Sequence, residues 1–186
     1  MSGSTVKLIS IENVIGSNGD DTIRGDAGNN EICGGLGDEY LVGDGGDDTY
    51  RFSRGDGTDS VENRGDTNST DRLLFDSDIT SDQLWFTRNG DKLNVQILGS
   101  TDSVDLFDWY NDADSRVDQI EAGDGTVVVG SQVQQLVDAM AAFALPSGSD
   151  IQNSEIPEET QQTVADVWSS SQDGYRYLLL KTMRSR

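Results

Sequence analysis

A large apolar residue recurs at every ninth position early in the chain: Ile23, Ile32, Leu41 and Tyr50. The residues between are glycine, aspartate, asparagine and small polar groups. Neither the 3.6-residue period of an amphipathic helix nor the two-residue period of an ordinary strand gives this spacing. Aligned on it, the chain from Gly16 reads GSNGDDTIR, GDAGNNEIC, GGLGDEYLV and GDGGDDTYR, four contiguous nonapeptides. Position one is Gly16, Gly25, Gly34 or Gly43, and position four is Gly19, Gly28, Gly37 or Gly46. Position six is Asp21, Asn30, Glu39 or Asp48. A degenerate fifth copy follows a two-residue slip, with Gly55, Gly57, Asp59 and Val61. Glycine permits a tight turn over the first six residues, and the last three form a minimal strand with one inward apolar side chain.

Outside the repeats the pattern changes. Val6–Ile11 alternates weakly, as a lead-in strand does, and residues 1–15 form that lead-in. The repeats occupy 16–62. From Asp71 to about residue 145, short apolar runs predict a small antiparallel β region: Arg72–Phe75, Leu84–Arg88, Asp91–Leu98, Ser103–Phe107, Val117–Ile120 and Thr126–Val129. Asn89-Gly90 predicts a two-residue hairpin pairing Phe86 with Leu93 and Leu84 with Val95. Val133, Leu136, Val137, Met140 and Ala141 follow helical spacing, with Ser131 as the predicted cap and Pro146 beyond the end. Residues 146–186 are read as a linker, polar over 147–160, and a tail. The tail is expected to hold a helix around Val164–Trp168, broken by Gly174. The fold class expected is mainly β: a parallel roll of nonapeptides, a small antiparallel β region, and a carboxy-terminal helix.

Composition adds a constraint. In 186 residues there are 34 Asp+Glu and 13 Lys+Arg, a net charge of -21. Such a chain repels itself when compact and repels nucleic acid and anionic membranes, so bound cations are the natural counterweight. Histidine is absent, which excludes Ser-His-Asp and Cys-His catalysis and imidazole zinc sites. One cysteine, Cys33, forms no internal disulfide and has no activating base. No apolar run is long enough to span a bilayer, and no amino-terminal signal peptide is evident.

Calcium suits these turns, because it is a hard cation that takes six to eight oxygen ligands. Two nonapeptides complete one coil, so repeat one stacks on repeat three and repeat two on repeat four. The oxygens on offer come from Gly16, Asn18, Asp20 and Asp21; Gly25, Ala27, Asn29 and Asn30; Gly34, Gly35, Gly37 and Glu39; Gly43, Asp44, Gly46 and Asp48; and Asp59. Two sandwiched sites follow, between Gly16–Asp21 and Gly34–Glu39 and between Gly25–Asn30 and Gly43–Asp48. A weaker third lies between Gly34–Glu39 and the Asp59 turn. Neutral Asn30 and the longer Glu39 are the weak points.

The run resembles the RTX repeats of bacterial toxins, proteases and lipases exported by type I secretion. Ser10-Ile11-Glu12-Asn13 is similar to the lead-in of that family. Asp105-Leu106-Phe107-Asp108-Trp109-Tyr110, within Asp71–Thr126, resembles the β region that follows such repeats, and Val133–Phe143 the helix after it. The likeness covers about residues 6–145. It implies a parallel β-roll, calcium binding, passage through a type I secretion apparatus and folding outside the cell. It also implies a carboxy-terminal secretion signal, for which 147–186 is the candidate. A second function class is a calcium-dependent module for an extracellular polysaccharide, with Trp85, Trp109 and Tyr110 as the stacking aromatics. Asp102, Asp105, Asp108, Asp112 and Asp114 are read as a solvated acidic edge, and no enzymatic constellation is evident.

Overall fold

The structure is a computed structural model that describes residues 5–7, 9, 12–64, 68–143 and 156–183. Leu8, Ser10 and Ile11 of the lead-in, linker residues 147–155 and the last three residues of the tail lie outside the described residues.

Thirteen strands are present among the described residues. They run β1 Thr5–Lys7, β2 Asn13–Ile15, β3 Thr22–Arg24, β4 Glu31–Cys33, β5 Tyr40–Val42, β6 Thr49–Phe52 and β7 Thr58–Glu62. Then follow β8 Arg72–Phe75, β9 Leu84–Asn89, β10 Lys92–Ile97, β11 Ser103–Leu106, β12 Gln119–Glu121 and β13 Val127–Val129. Each glycine turn reverses the chain, so successive short strands alternate between two sheets. One sheet has the order β1-β3-β5-β7-β11-β10-β9, the other β13-β12-β8-β6-β4-β2. Ile23 pairs with Leu41, and Ile32 with Tyr50, in parallel register. Repeat one therefore stacks on repeat three and repeat two on repeat four. Val61 pairs with Leu41, so the degenerate copy keeps the apolar slot across its slip.

The position-eight residues are the core of the roll. Ile23, Ile32, Leu41, Tyr50, Val61 and Leu73 are fully buried. A three-residue strand offers one inward side chain, so the stability of the roll rests on this ladder of apolar contacts between coils.

The predicted antiparallel region is built onto the same two sheets. β11 lies parallel to β7 and β12 parallel to β8, while β9, β10 and β11 pair antiparallel, as do β12 and β13. The hairpin forms with a different register from the one expected: Val95 pairs with Phe86 and Ile97 with Leu84. The loop is Gly90-Asp91, flanked by Asn89 and Lys92, and Gly90 takes φ 63° at its first central position. Glycine-first is the other favoured two-residue turn. A shift of two residues keeps each side chain on its face, so the expected core residues Leu84, Phe86, Leu93 and Val95 are all buried.

Two helices close the carboxy-terminal end of the roll. Helix α1, Val133–Ala141, buries Val133, Leu136, Val137 and Met140. Ser131 does not cap it: Gly130–Gln132 form a 3-10 turn, and the cap position falls to Gln132 without a side-chain bond. Helix α2, Glu158–Met183, runs through Gly174 instead of breaking there. An interior glycine costs a helix only about 1 kcal/mol and keeps its N–H, so α2 tolerates it. Pro157 precedes the helix, and Glu158 and Glu159 in its first turn suit the positive end of the helix dipole. Ile156, Val164, Val167 and Trp168 join the core, so this stretch is packed structure and not the polar linker expected up to residue 160. The helices also cover sheet edges. Strand β9 ends its sheet, and its Phe86 N–H donates to Met140 Sδ at 2.9 Å; α2 packs beside β13, which ends the other sheet.

Candidate calcium site

The glycine turns carry a column of carboxyl and amide side chains on each side of the roll. All position-six groups are buried: Asp21, Asn30, Glu39, Asp48 and, in the degenerate copy, Asp59. Each coil is tied to the next by a backbone N–H donating to a position-six side chain. The Asn30 N–H reaches Asp48 Oδ1, and the Glu39 N–H reaches Asp59 Oδ1, both at 2.9 Å. Within a turn the same side chain accepts the position-two N–H, as Asp21 Oδ2 does from Ser17 at 2.6 Å and Asn30 Oδ1 from Asp26 at 3.0 Å. Asn30 thus reproduces the geometry of the aspartate without its charge.

Position five forms an outer ladder. The Asp38 N–H donates to Asp20 Oδ1 and the Asp47 N–H to Asn29 Oδ1. Asn18 and Ala27, at position three, are exposed. Asp44 takes φ 68°, and its carboxylate is held by Arg24 at 2.6 and 2.8 Å, outside the buried column.

Position one brings backbone oxygens close. A Cβ on Gly16 would lie 2.0 Å from Gly34 O. One on Gly25 would lie 2.2 Å from Asn30 Oδ1 and 2.3 Å from Gly43 O. The facing turns therefore present carbonyl and side-chain oxygens together, with no room for a side chain at these glycines. Gly35, Gly37 and Gly46 all adopt positive φ within these turns.

The electrostatics of the column are unfavourable by themselves. Glu39 is 2% exposed and Asp48 0%, and Glu39 Oε1, Glu39 Oε2 and Asp48 Oδ2 have no hydrogen-bond partner. Burial pushes the Glu39 carboxyl up to about 9, with neighbouring Asp59, Asp56 and Asp21 adding to it. Burial lifts Asp48 to about 7, reinforced by Asp71, Asp44 and Asp47 against the Asn30 N–H. Burial also lifts Asp59, to about 6. Buried, unpartnered carboxylate oxygens facing carbonyls fit a hard divalent cation. Among the described residues no three His, Cys, Asp or Glu side chains converge closely enough to hold an ion alone. The donor set therefore has to include backbone carbonyls, which is what the glycine turns supply.

Sequence reasoning missed four members of this network. Asp71 and Asp118 continue the Asn30–Asp48 column: the Asp48 N–H donates to Asp71 Oδ1 at 2.9 Å, and the Asp71 N–H to Asp118 Oδ2 at 2.8 Å. The signal was legible, because Asp71-Arg72-Leu73 and Asp118-Gln119-Ile120 repeat the acid, any residue, apolar spacing of Asp48-Thr49-Tyr50. Buried Asn63 accepts from Tyr50 Oη at 3.1 Å and donates to Asp71 Oδ2 at 2.8 Å. Buried Asp56 accepts from the Ser53 N–H at 2.7 Å.

Residues 15–50 match the family model described as the RTX calcium-binding nonapeptide repeat, in four copies. The chain carries RTX repeats. Such haemolysin-type nonapeptides bind calcium ions, and the RTX segment here is a calcium-binding module. Residues 93–130, which extend both sheets of the RTX roll, match the haemolysin-type calcium binding protein related domain. Among curated proteins, the iron-regulated protein FrpA of Neisseria meningitidis serogroup C is 32% identical over 112 residues. That alignment spans 55% of this chain and 10% of FrpA.

Other candidate residues take structural places. Trp85 and Trp109 are 2% and 3% exposed, so they belong to the core and offer no stacking platform. Tyr110 lies under the Arg88 guanidinium, 4.2 Å from its ring centroid. Asp102 accepts the Gly55 N–H and Asp105 pairs with Lys92, while Asp108 and Asp112 sit in turns. Burial raises the Cys33 thiol, which leaves it less reactive than a free cysteine. No helix among the described residues is long and apolar enough to cross a membrane.

Proposed function

We propose that this RTX module is a calcium-driven folding device of an exported protein. Its ions sit between the Gly16–Asp21 and Gly34–Glu39 turns and between the Gly25–Asn30 and Gly43–Asp48 turns, with a third between Gly34–Glu39 and Asp59. The observation that carries this reading is the set of buried, partnerless oxygens on Glu39 and Asp48. Ionised and without a cation, they oppose the compact state; with calcium bound they become its ligands.

The net charge of -21 acts in the same direction. Where calcium is scarce the repeats stay open, in a form suited to threading through a type I secretion apparatus. Outside the cell, calcium binds the folded form and stabilises it by mass action. The module serves a larger protein, contributes no catalysis of its own, and has its secretion signal within 147–186. Circular dichroism during a calcium titration tests the proposal. The β signal is expected to rise cooperatively from chelator to millimolar calcium, and a full β signal in chelator that calcium leaves unchanged would refute it.

A further inference from the structure

Asparagine followed by glycine is a dipeptide that can modify itself in water without an enzyme. Glycine has no Cβ to hinder the approach of its backbone nitrogen to the asparagine side chain. The chain contains two such pairs, Asn18-Gly19 in the first repeat and Asn89-Gly90 at the β9–β10 hairpin. Both asparagines are exposed, so exposure does not separate them. What packs on their backbones does.

Asn18-Gly19 lies inside a stacked turn. The Leu36 N–H donates to Ser17 O at 3.1 Å and the Asp38 N–H to Asp20 Oδ1 at 3.1 Å, so the next coil grips the chain on both sides of the pair. The Ser17 N–H is held in turn by Asp21 Oδ2 at 2.6 Å. Gly37 packs onto the pair itself: a Cβ there would lie 2.9 Å from the Gly19 carbonyl carbon and 2.8 Å from the Asp20 nitrogen. At the hairpin no coil covers the pair. Asn89, Gly90 and Asp91 are all exposed, and a Cβ on Gly90 would meet nothing within 4 Å. The tip is held by Arg88 Nε, which donates to Gly90 O at 2.9 Å, and by the Tyr110 N–H, which donates to Asp91 O at 3.0 Å. Both contacts engage carbonyl oxygens and not the Gly90 nitrogen.

We propose that Asn89 is a self-modifying site of the folded chain, and that stacking of the repeats keeps Asn18 from the same reaction. The Gly90 nitrogen attacks Asn89 Cγ and forms a C–N bond. The bond from Cγ to the side-chain nitrogen breaks, and ammonia leaves with the proton that the Gly90 nitrogen gives up. Water then opens the five-membered imide at either carbonyl, giving aspartate or isoaspartate. Each product adds one negative charge to the tip. Isoaspartate also adds one carbon to the main chain at Asn89, whose pairing with Lys92 closes the hairpin.

The test incubates the full chain in calcium at mildly alkaline pH and follows digests over weeks by mass spectrometry, with an isoaspartate assay. Asn89 is expected to convert from amide to acid and to yield both aspartate and isoaspartate. Asn18 in the same sample should convert about tenfold or more slowly, because its ring can close only when the stacked turn opens. In denaturing urea with chelator the two pairs should react at similar rates. Asn89→Gln should remove the mass gain from the hairpin peptide while leaving the calcium-dependent β signal intact. Asn89 that stays an amide, aspartate formed without isoaspartate, Asn18 reacting as fast as Asn89 in calcium, or Asn18 staying slow in urea would each overturn the proposal.

Discussion

Replacing Asp48 by asparagine should have opposite effects with and without calcium. The Asp48 side chain is fully buried; Oδ1 accepts the Asn30 N–H, and Oδ2 has no partner. Asparagine keeps the Oδ1 contact and removes the charge. The rise of the carboxyl from 3.8 to about 7 corresponds to ~4 kcal/mol favouring the protonated form in the fold. Because the folded value lies above the unfolded one, the folded chain holds this proton longer. Stability therefore falls as pH rises from 3.8 to about 7, and the whole cost is present above that. The new Nδ2 lacks a partner and returns ~1–3 kcal/mol of that gain. In chelator at about pH 8, Asp48→Asn should therefore favour the folded roll by ~1–3 kcal/mol. In calcium the same change deletes an anionic ligand and should raise the calcium midpoint about tenfold or more. An osmolyte titration of the chelated chain, followed by circular dichroism, reads the first effect, and a calcium titration reads the second. A variant that is less stable in both conditions, or unchanged in both, would show that the Asp48 charge is not what holds the metal-free roll open.

Acid should substitute in part for calcium. In chelator, lowering the pH from about 9 to about 6 protonates Glu39, Asp48 and Asp59 in the folded form before the unfolded one, so the β signal should grow on acidification; a signal that is flat or falls across that range contradicts the burial argument. Gly25→Ala should raise the calcium midpoint sharply, at an overpacking cost of ~1–3 kcal/mol, because its Cβ would lie 2.2 Å from Asn30 Oδ1. Gly45→Ala, whose Cβ meets nothing nearer than Ala27 Cα at 3.9 Å, should leave the same titration unchanged. Met140→Leu preserves the volume of α1 but strips the Phe86 N–H of its sulfur acceptor. The urea midpoint in calcium should fall by the equivalent of ~1–3 kcal/mol, whereas a neutral result would mean the N–H···S contact is incidental.

The roll was legible in one dimension because a β-roll is nearly one-dimensional. Each nonapeptide contacts its neighbours two units away by a fixed rule, so Ile23 over Leu41 and Ile32 over Tyr50 follow from counting. The acidic turns, their glycines and the RTX resemblance share that period. Helix α1 was legible for a similar reason, since its apolar stripe is local.

Where contacts skip the period, counting ran out. Asp71 and Asp118 continue a column begun by Asn30 and Asp48; the acid, any residue, apolar triplet marks each of them, but the loops between are of unequal length, so the period does not say that they stack in one series. The hairpin register depended on whether Asn89 or Gly90 opened the turn, a choice between turns of similar energy that cross-strand packing settles. Gly174 reads as a helix breaker in isolation, yet α2 continues through it. Trp85, Trp109 and Trp168 are equally aromatic on paper, and only tertiary packing shows that all three are buried. Period and residue chemistry, read along the chain, determined the glycine turns, the apolar ladder and the kind of cation they suit. Burial alone decided which carboxylates are costly when charged, because desolvation depends on what covers a group in space.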